Sequence, residues 1–104
     1  MTAYLIVRAD VATASREKFD HWYETVHLPE ALRNFKAVSA LRGWSDVESG
    51  VHLAFYEFPD LITANNLLGS DLMKKFIKEF DRHWAGKVTR TREVFEVKQS
   101  LNAS

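Results

Sequence analysis

The residues best suited to chemistry lie between Phe19 and Pro29, where two histidines and two large aromatic side chains fall close together. Phe19, Trp22, Tyr23 and Val26 recur at the spacing of one face of an α-helix, and His27 continues that apolar face. An imidazole has an ordinary pKa near neutrality, so His27 is a candidate general base or acid. A histidine near the end of a helix is also stabilising without any chemistry, and this structural role is the alternative.

The aromatic neighbours of His27 are candidates for binding a planar ligand. Trp22 can stack on a ring and Tyr23 can donate its hydroxyl, although packing between helix and sheet is the alternative for both. His83 borders the apolar face of a second helix and is a candidate for a second proton-transfer group or a haem ligand, or for a structural residue. Tyr56 shares one face of a strand with His52 and is a further candidate for binding the ligand.

Charged side chains on the strands and on the first helix are weaker candidates. Four arginines fall on the strands that do not carry His52: Arg8, Arg42, Arg90 and Arg92. They could bind a carboxylate or form ion pairs across a dimer, but solvated charges are the usual role of strand arginines. Asp20 and Glu24 lie one turn apart on the side of the first helix expected to face solvent.

Composition argues against several classes of function. The chain of 104 residues has 14 basic and 14 acidic side chains, a balance that does not favour binding to nucleic acid. Cysteine is absent and the four histidines are scattered, so neither a metal site nor a bound cofactor is expected. The apolar run at residues 4–7 is too short for a signal peptide or a membrane span, and a cytoplasmic location is expected.

Apolar alternation predicts four strands, at residues 3–9, 38–44, 51–58 and 88–98. A polar hairpin over 46–50 joins the second strand to the third. Both phases of the first and third strands are largely apolar, whereas a sheet with one solvated face should alternate more cleanly. A second copy of the chain is therefore expected to cover the open face, sheet against sheet, in a homodimer.

Capping residues and proline set the predicted helix bounds. Thr13 can cap the first helix, which is expected to end near His27 because Pro29 disfavours helical geometry at the residue before it. A short turn over 29–34 follows. Asp60 can cap a short helix over 61–68, and the last helix, over 70–86, has Ser70 as its cap.

The order of elements is thus β-α-β-β-α-β, the ferredoxin-like arrangement of the α+β class. It predicts a four-stranded antiparallel sheet with both helical regions on one face, in one domain spanning residues 1–104. Together with this order, the pattern Phe-x-x-Trp-Tyr-x-x-x-His-x-Pro in the first helix resembles the dimeric α/β-barrel superfamily, and within it the EthD-like group. His83 and Trp84 at the end of the last helix support the resemblance.

The resemblance implies a homodimer whose two sheets form a barrel, with a small-molecule cavity in each subunit. Members of the superfamily include proteins encoded with ether-degradation enzymes, aromatic polyketide decarboxylases, cofactor-free monooxygenases and haem-degrading enzymes. The chain is therefore expected to bind a hydrophobic, aromatic or polyketide-like molecule, and to act as a cofactor-independent oxygenase or decarboxylase. In that hypothesis His27 transfers the proton, and Trp22, Tyr23, Tyr56 and His83 contact the substrate.

Two alternatives belong to other classes of function. One is a non-catalytic, stress-related or accessory barrel that only holds a ligand. The other is a haem-degrading monooxygenase in which His83 would be the axial ligand.

Overall fold

The computed structural model describes residues 1–103 and contains one antiparallel sheet of four strands. The strands are β1 (Ala3–Val11), β2 (Ser39–Trp44), β3 (Val51–Phe58) and β4 (Val88–Glu96). Their order across the sheet is β2-β3-β1-β4, and every neighbouring pair is antiparallel. This order confirms the predicted ferredoxin-like arrangement and the α+β class.

Two helical regions connect the strands. The first contains a 3-10 turn (Thr13–Ser15), α1 (Arg16–Trp22), a π-helical turn (Tyr23–His27) and α2 (Leu28–Phe35). The second contains α3 (Leu61–Leu68) and α4 (Asp71–Trp84). No helix in the part of the chain that the structure describes is both long and apolar enough to cross a membrane.

The helix starts in the second region follow the predicted caps, whereas the first start does not. The Asp60 side chain accepts a hydrogen bond from the Thr63 backbone N–H at 2.7 Å, and the Ser70 hydroxyl accepts one from Met73 at 3.1 Å. Both caps are confirmed. The predicted cap by Thr13 is wrong: the chain enters α1 through the 3-10 turn, and no side-chain cap is formed there.

The predicted end of the first helix near His27 is also wrong. Leu28 has helical dihedral angles (φ −64°, ψ −46°), and α2 continues through Pro29 as far as Phe35. The Leu28 N–H bonds to the carbonyl of Tyr23, five residues back, which is the wider turn of a π-helix. This widening leaves room for the proline, and burial of Ala31 and Phe35 on α2 outweighs the local preference of the residue before proline.

The π-helical turn also changes which residues face the sheet. In a regular α-helix a step of four residues overshoots a full turn by about 40°, so a series at that spacing drifts off one face. The wider turn corrects this drift. The first helical region therefore points every fourth residue inward: Phe19, Tyr23, His27, Ala31 and Phe35. Val26, which the regular helical spacing placed in the core, is exposed instead.

The two faces of the sheet have different surroundings. On the helix-covered face, alternate residues of β1 from Ala3 to Val11 are buried with their β3 partners. The opposite face has no covering element among residues 1–103 and presents a hollow of about 410 Å³. Five apolar residues line that hollow: Tyr4, Ile6, Leu41, Phe55 and Phe95. Leu41 and Phe95 are more than half exposed, at 58% and 52%, which is unusual for side chains of this size.

Candidate functional site

His27 lies in an aromatic wall between the first helical region and α4. Its ring stacks on Trp22 with 4.7 Å between centroids and an interplanar angle of 18°. The edge-to-face contact with Tyr23 also measures 4.7 Å between centroids, and Phe76 and Phe80 of α4 lie within 6 Å. No other side chain of residues 1–103 hydrogen-bonds to either ring nitrogen, so the imidazole is held by packing alone.

This environment keeps the imidazole of His27 uncharged. Burial lowers the pKa of His27 to about 3, and the nearby positive charges of Arg90 and Arg92 act in the same direction. At neutral pH the ring is therefore an acceptor of protons and not a donor. The predicted role as general acid would require a bound ligand that changes this electrostatic environment.

His27 separates two spaces, an inner cavity against the sheet and an outer groove between the helices. The inner cavity, of about 20 Å³, has six principal wall residues: Tyr23, His27, Tyr56, Phe76, Arg90 and Arg92. The outer groove, of about 430 Å³, is walled mainly by Trp22, His27, Glu30, Phe76, Glu79 and His83. A single water needs about 10–15 Å³ measured in this way, so the inner cavity holds about one water. Only the outer groove has room for an aromatic ring.

Two tyrosine hydroxyls meet beside the inner cavity. The Tyr23 and Tyr56 oxygens lie 3.0 Å apart and share one hydrogen bond. One hydroxyl donates this bond, so the proton of the other remains available to a bound oxygen. Burial raises the pKa of Tyr23 to about 12 and also raises the pKa of Tyr56, so both phenols stay protonated at neutral pH.

His83 faces the outer groove and not the inner cavity. Its Nδ1 lies 3.0 Å from the Glu79 carbonyl oxygen, one helical turn back, and its ring packs on Trp22 at 5.3 Å between centroids. The ring is exposed. The five residues singled out in the sequence thus lie together, with Tyr23 and Tyr56 on the inner side of His27 and His83 on the outer side.

A second polar cluster, beside the Tyr23 ring, corrects the expectation that Asp20 faces solvent. Asp20 accepts hydrogen bonds from Arg42 at 2.8 Å and from the Trp44 indole at 2.7 Å. These hydrogen bonds lower the pKa of Asp20. Arg42 also lies 3.2 Å from Nε2 of His52, and a guanidinium can only donate, so this nitrogen carries no proton.

His52 is the most deeply buried polar side chain of the described residues, at 1% exposure. Burial lowers the pKa of His52 to about 4, and the charge of Arg42 adds to the effect. Its ring packs against Tyr23 with 4.5 Å between centroids. The cluster therefore orients Tyr23 from behind, because the Arg42 guanidinium also lies over the Tyr23 ring at 5.7 Å.

Arg90 and Arg92 of β4 point toward the helices and line the inner cavity, although solvated charges are the usual role of strand arginines. The sheet register places Arg90 beside Ala9 and Arg92 beside Val7, both on the buried face of β1. Burial lowers the pKa of Arg90 to about 10 and also lowers the pKa of Arg92. Among residues 1–103, no group of three or more histidine and carboxylate side chains could hold a metal ion.

Comparisons with known proteins show the fold. No protein-family model matches the sequence, and no curated protein matches it. Among solved structures, an EthD family protein from Bacillus halodurans is 16% identical, with a TM-score of 0.66 over 89% of this chain and 97% of that one. SnoaB from Streptomyces nogalater, described as a cofactor-independent oxygenase, is 14% identical, with a TM-score of 0.67 over 98% of each chain.

A dimeric ferredoxin-like protein from an uncultured marine organism is 16% identical, with a TM-score of 0.69 over 96% of this chain and 98% of that one. These similarities confirm the predicted resemblance to the ferredoxin-like and EthD-like structures at the level of the fold. Function has to be argued from the site itself.

Proposed function

We propose that this protein binds a hydrophobic aromatic molecule between its helices and acts on it without a cofactor, with His27 as the proton acceptor. The observation that carries the proposal is the place of His27: an uncharged imidazole with no hydrogen-bond partner among the described residues forms the wall between the inner cavity and the outer groove. A structural histidine would be expected to have a partner for its ring nitrogens.

The chemistry that suits this arrangement is proton abstraction from an activated carbon or hydroxyl group. The outer groove offers the Trp22 ring and Phe76 as apolar walls for a planar ligand. Removal of a proton by His27 would leave an electron-rich anion, the form in which an organic molecule reacts most readily with O₂. The free hydroxyl proton of the Tyr23–Tyr56 pair could stabilise the oxygen of that anion.

Oxygenation fits this arrangement better than decarboxylation. Decarboxylation requires a proton donor for the carbanion that remains, and a histidine whose pKa is about 3 carries no proton at neutral pH. The similarity to SnoaB, described as a cofactor-independent oxygenase, supports the same choice. A haem-degrading role with His83 as the axial ligand stays a prediction.

We also propose that residues 1–104 form one domain that dimerises through the open face of the sheet. The apolar hollow around Phe55 on this face supports the proposal, as does the similarity to a dimeric ferredoxin-like protein. In that arrangement two sheets pack face to face as a barrel, and the helices and the His27 site remain on the outside.

The test of the catalytic proposal is oxygen uptake with anthrone as the probe, in the absence of added metal or cofactor. Wild-type protein is expected to consume O₂, and His27→Ala to reduce the rate about 100-fold or more, since a positioned acid or base contributes about 10²–10⁴-fold. His83→Gln is the matched control, because His83 lies in the same groove on the exposed side. Turnover that survives in His27→Ala at the wild-type rate would contradict the proposal.

A further inference from the structure

The charges around the inner cavity are all of one sign. Arg90 and Arg92 line it together with neutral aromatic and aliphatic side chains, and no described carboxylate is part of its wall. His27 contributes no compensating charge, because it is neutral. A partly buried guanidinium without a counter-ion is unfavourable, since it gives up solvation without gaining a partner.

The two arginines differ in how they are paired. Arg90 forms an ion pair with Asp81 at 3.2 Å and lies over the Phe80 ring at 3.5 Å from its centroid. Arg92 has no ion pair and no side-chain hydrogen bond with any of residues 1–103, although it is partly buried. Of the two, Arg92 is therefore the one whose hydrogen-bond donors remain available to a ligand.

The inner cavity and the outer groove are adjacent and share two wall residues, His27 and Phe76. A planar ring in the outer groove lies on the far side of this pair from Arg92. A short charged substituent on the ring would pass between His27 and Phe76 to reach the guanidinium. Phe76 is only partly buried and is the side chain that must rotate to open the passage.

We propose that the ligand is an aromatic acid whose carboxylate is bound by Arg92 in the inner cavity while its ring lies in the outer groove. A carboxylate suits the site because the planar guanidinium can bind both of its oxygens at once. The hydroxyl proton left free by the Tyr23–Tyr56 pair supplies a further donor at the same cavity. This inference rests on the proposed function and specifies its substrate class.

The assignment has a consequence for the chemistry. A carboxylate bound by a guanidinium is stabilised in the ground state, so it serves as an anchor and is not the group that reacts. The anchor places the adjoining ring carbons beside His27, on the path between the two spaces. The negative charge of the ligand would also offset the positive field of Arg90 and Arg92 that contributes to the low pKa of His27.

Binding of 2-naphthoate and of its neutral analogue 2-naphthamide, measured by calorimetry at pH 7.5, tests the proposal. Wild-type protein is expected to bind the carboxylate at least about tenfold more tightly than the amide. Arg92→Gln should remove this preference and leave the affinity for the amide within about twofold. Arg33→Gln, which removes an exposed arginine of α2, is the matched control and should keep the preference.

Equal affinity of wild-type protein for the two probes would overturn the proposal, as would a preference that survives in Arg92→Gln. An equal loss in Arg33→Gln would assign the preference to general charge attraction and would also overturn it. Failure of the wild-type protein to bind either probe would do the same. None of these measurements uses turnover, so the carboxylate site and the catalytic role of His27 can fail separately.

Discussion

Acidification from pH 7 to pH 5 is expected to destabilise the folded protein through its two buried histidines, His27 and His52. Burial lowers their pKa values to about 3 and about 4, so both rings stay neutral in the folded state across this interval. In the unfolded chain both take up a proton near the ordinary value of about 6.5. The unfolded state then binds more protons than the folded state, and stability falls as pH falls below that value.

The expected loss is large relative to the stability of a small domain. Each histidine contributes about 1.4 kcal/mol per pH unit once the pH is below about 6.5, which amounts to about 2 kcal/mol between pH 7 and pH 5. The two together give about 4 kcal/mol, against a typical total of about 5–15 kcal/mol. His52 has a further reason to resist protonation, because its Nε2 accepts a hydrogen bond from the Arg42 guanidinium.

Urea unfolding at both pH values and at one protein concentration measures this loss. His27→Gln and His52→Gln should each reduce the difference between pH 7 and pH 5 by about 2 kcal/mol, whatever their stability at pH 7. His21→Gln is the control, because the side chain of His21 is exposed, and it should leave the difference unchanged. An undiminished difference in the double variant with both glutamines would refute the reasoning.

Two further substitutions test the packing and the assembly. Trp84 has a buried indole N–H with no partner among the described residues, whereas the Trp44 N–H bonds to Asp20, so Trp84→Phe should destabilise less than Trp44→Phe in urea unfolding. An unpaired buried donor costs about 1–3 kcal/mol and a hydrogen bond to a charged group contributes about as much, so a larger loss in Trp84→Phe would contradict this account. Leu41→Lys, on the open face, should shift a micromolar dimer toward monomer in size-exclusion chromatography with light scattering, and Val47→Lys, in the exposed hairpin, should not. A wild-type protein that elutes as a monomer would rule out the dimer.

The sheet was predictable because its signals are local. Each strand shows its apolar alternation within its own residues, and β3 (Val51–Phe58) has the predicted bounds. The caps Asp60 and Ser70 are likewise local, since each bonds to a backbone N–H three residues away. The ends of β1 and β4 moved by two residues, because strand ends depend on the partner strand and not on their own side chains.

The errors arose where tertiary contacts override local preference. Pro29 gave a valid local reason to end the first helix, but burial of Ala31 and Phe35 favours its continuation, and no residue pattern announces a π-helical turn. Asp20 was placed on the exposed side of its helix, yet its partners Arg42 and Trp44 come from β2, more than 20 residues away.

The two arginines of β4 could have been assigned to the interior from the alternation of that strand. Arg90 and Arg92 share their phase with Val88 and Val94, and all four lie opposite the buried residues of β1. A charged pair in the phase of apolar neighbours indicates either a paired interior cation or a binding site. The sequence shows the phase, but only the structure shows that Asp81 pairs with one arginine and leaves the other without a counter-ion.

The π-helical turn and the arginines of β4 together explain why His27 suits proton abstraction. Without the wider turn, the inward direction would pass to Val26 and the imidazole would rotate toward solvent, where it would titrate near neutrality. With the turn, His27 is stacked on Trp22, faces the positive field of Arg90 and Arg92, and stays unprotonated. A base with so low a pKa is weak in the free protein, so its strength must be restored when the ligand binds. An anionic ligand at Arg92 does this by offsetting the positive field, whereas a neutral ligand of the same shape does not.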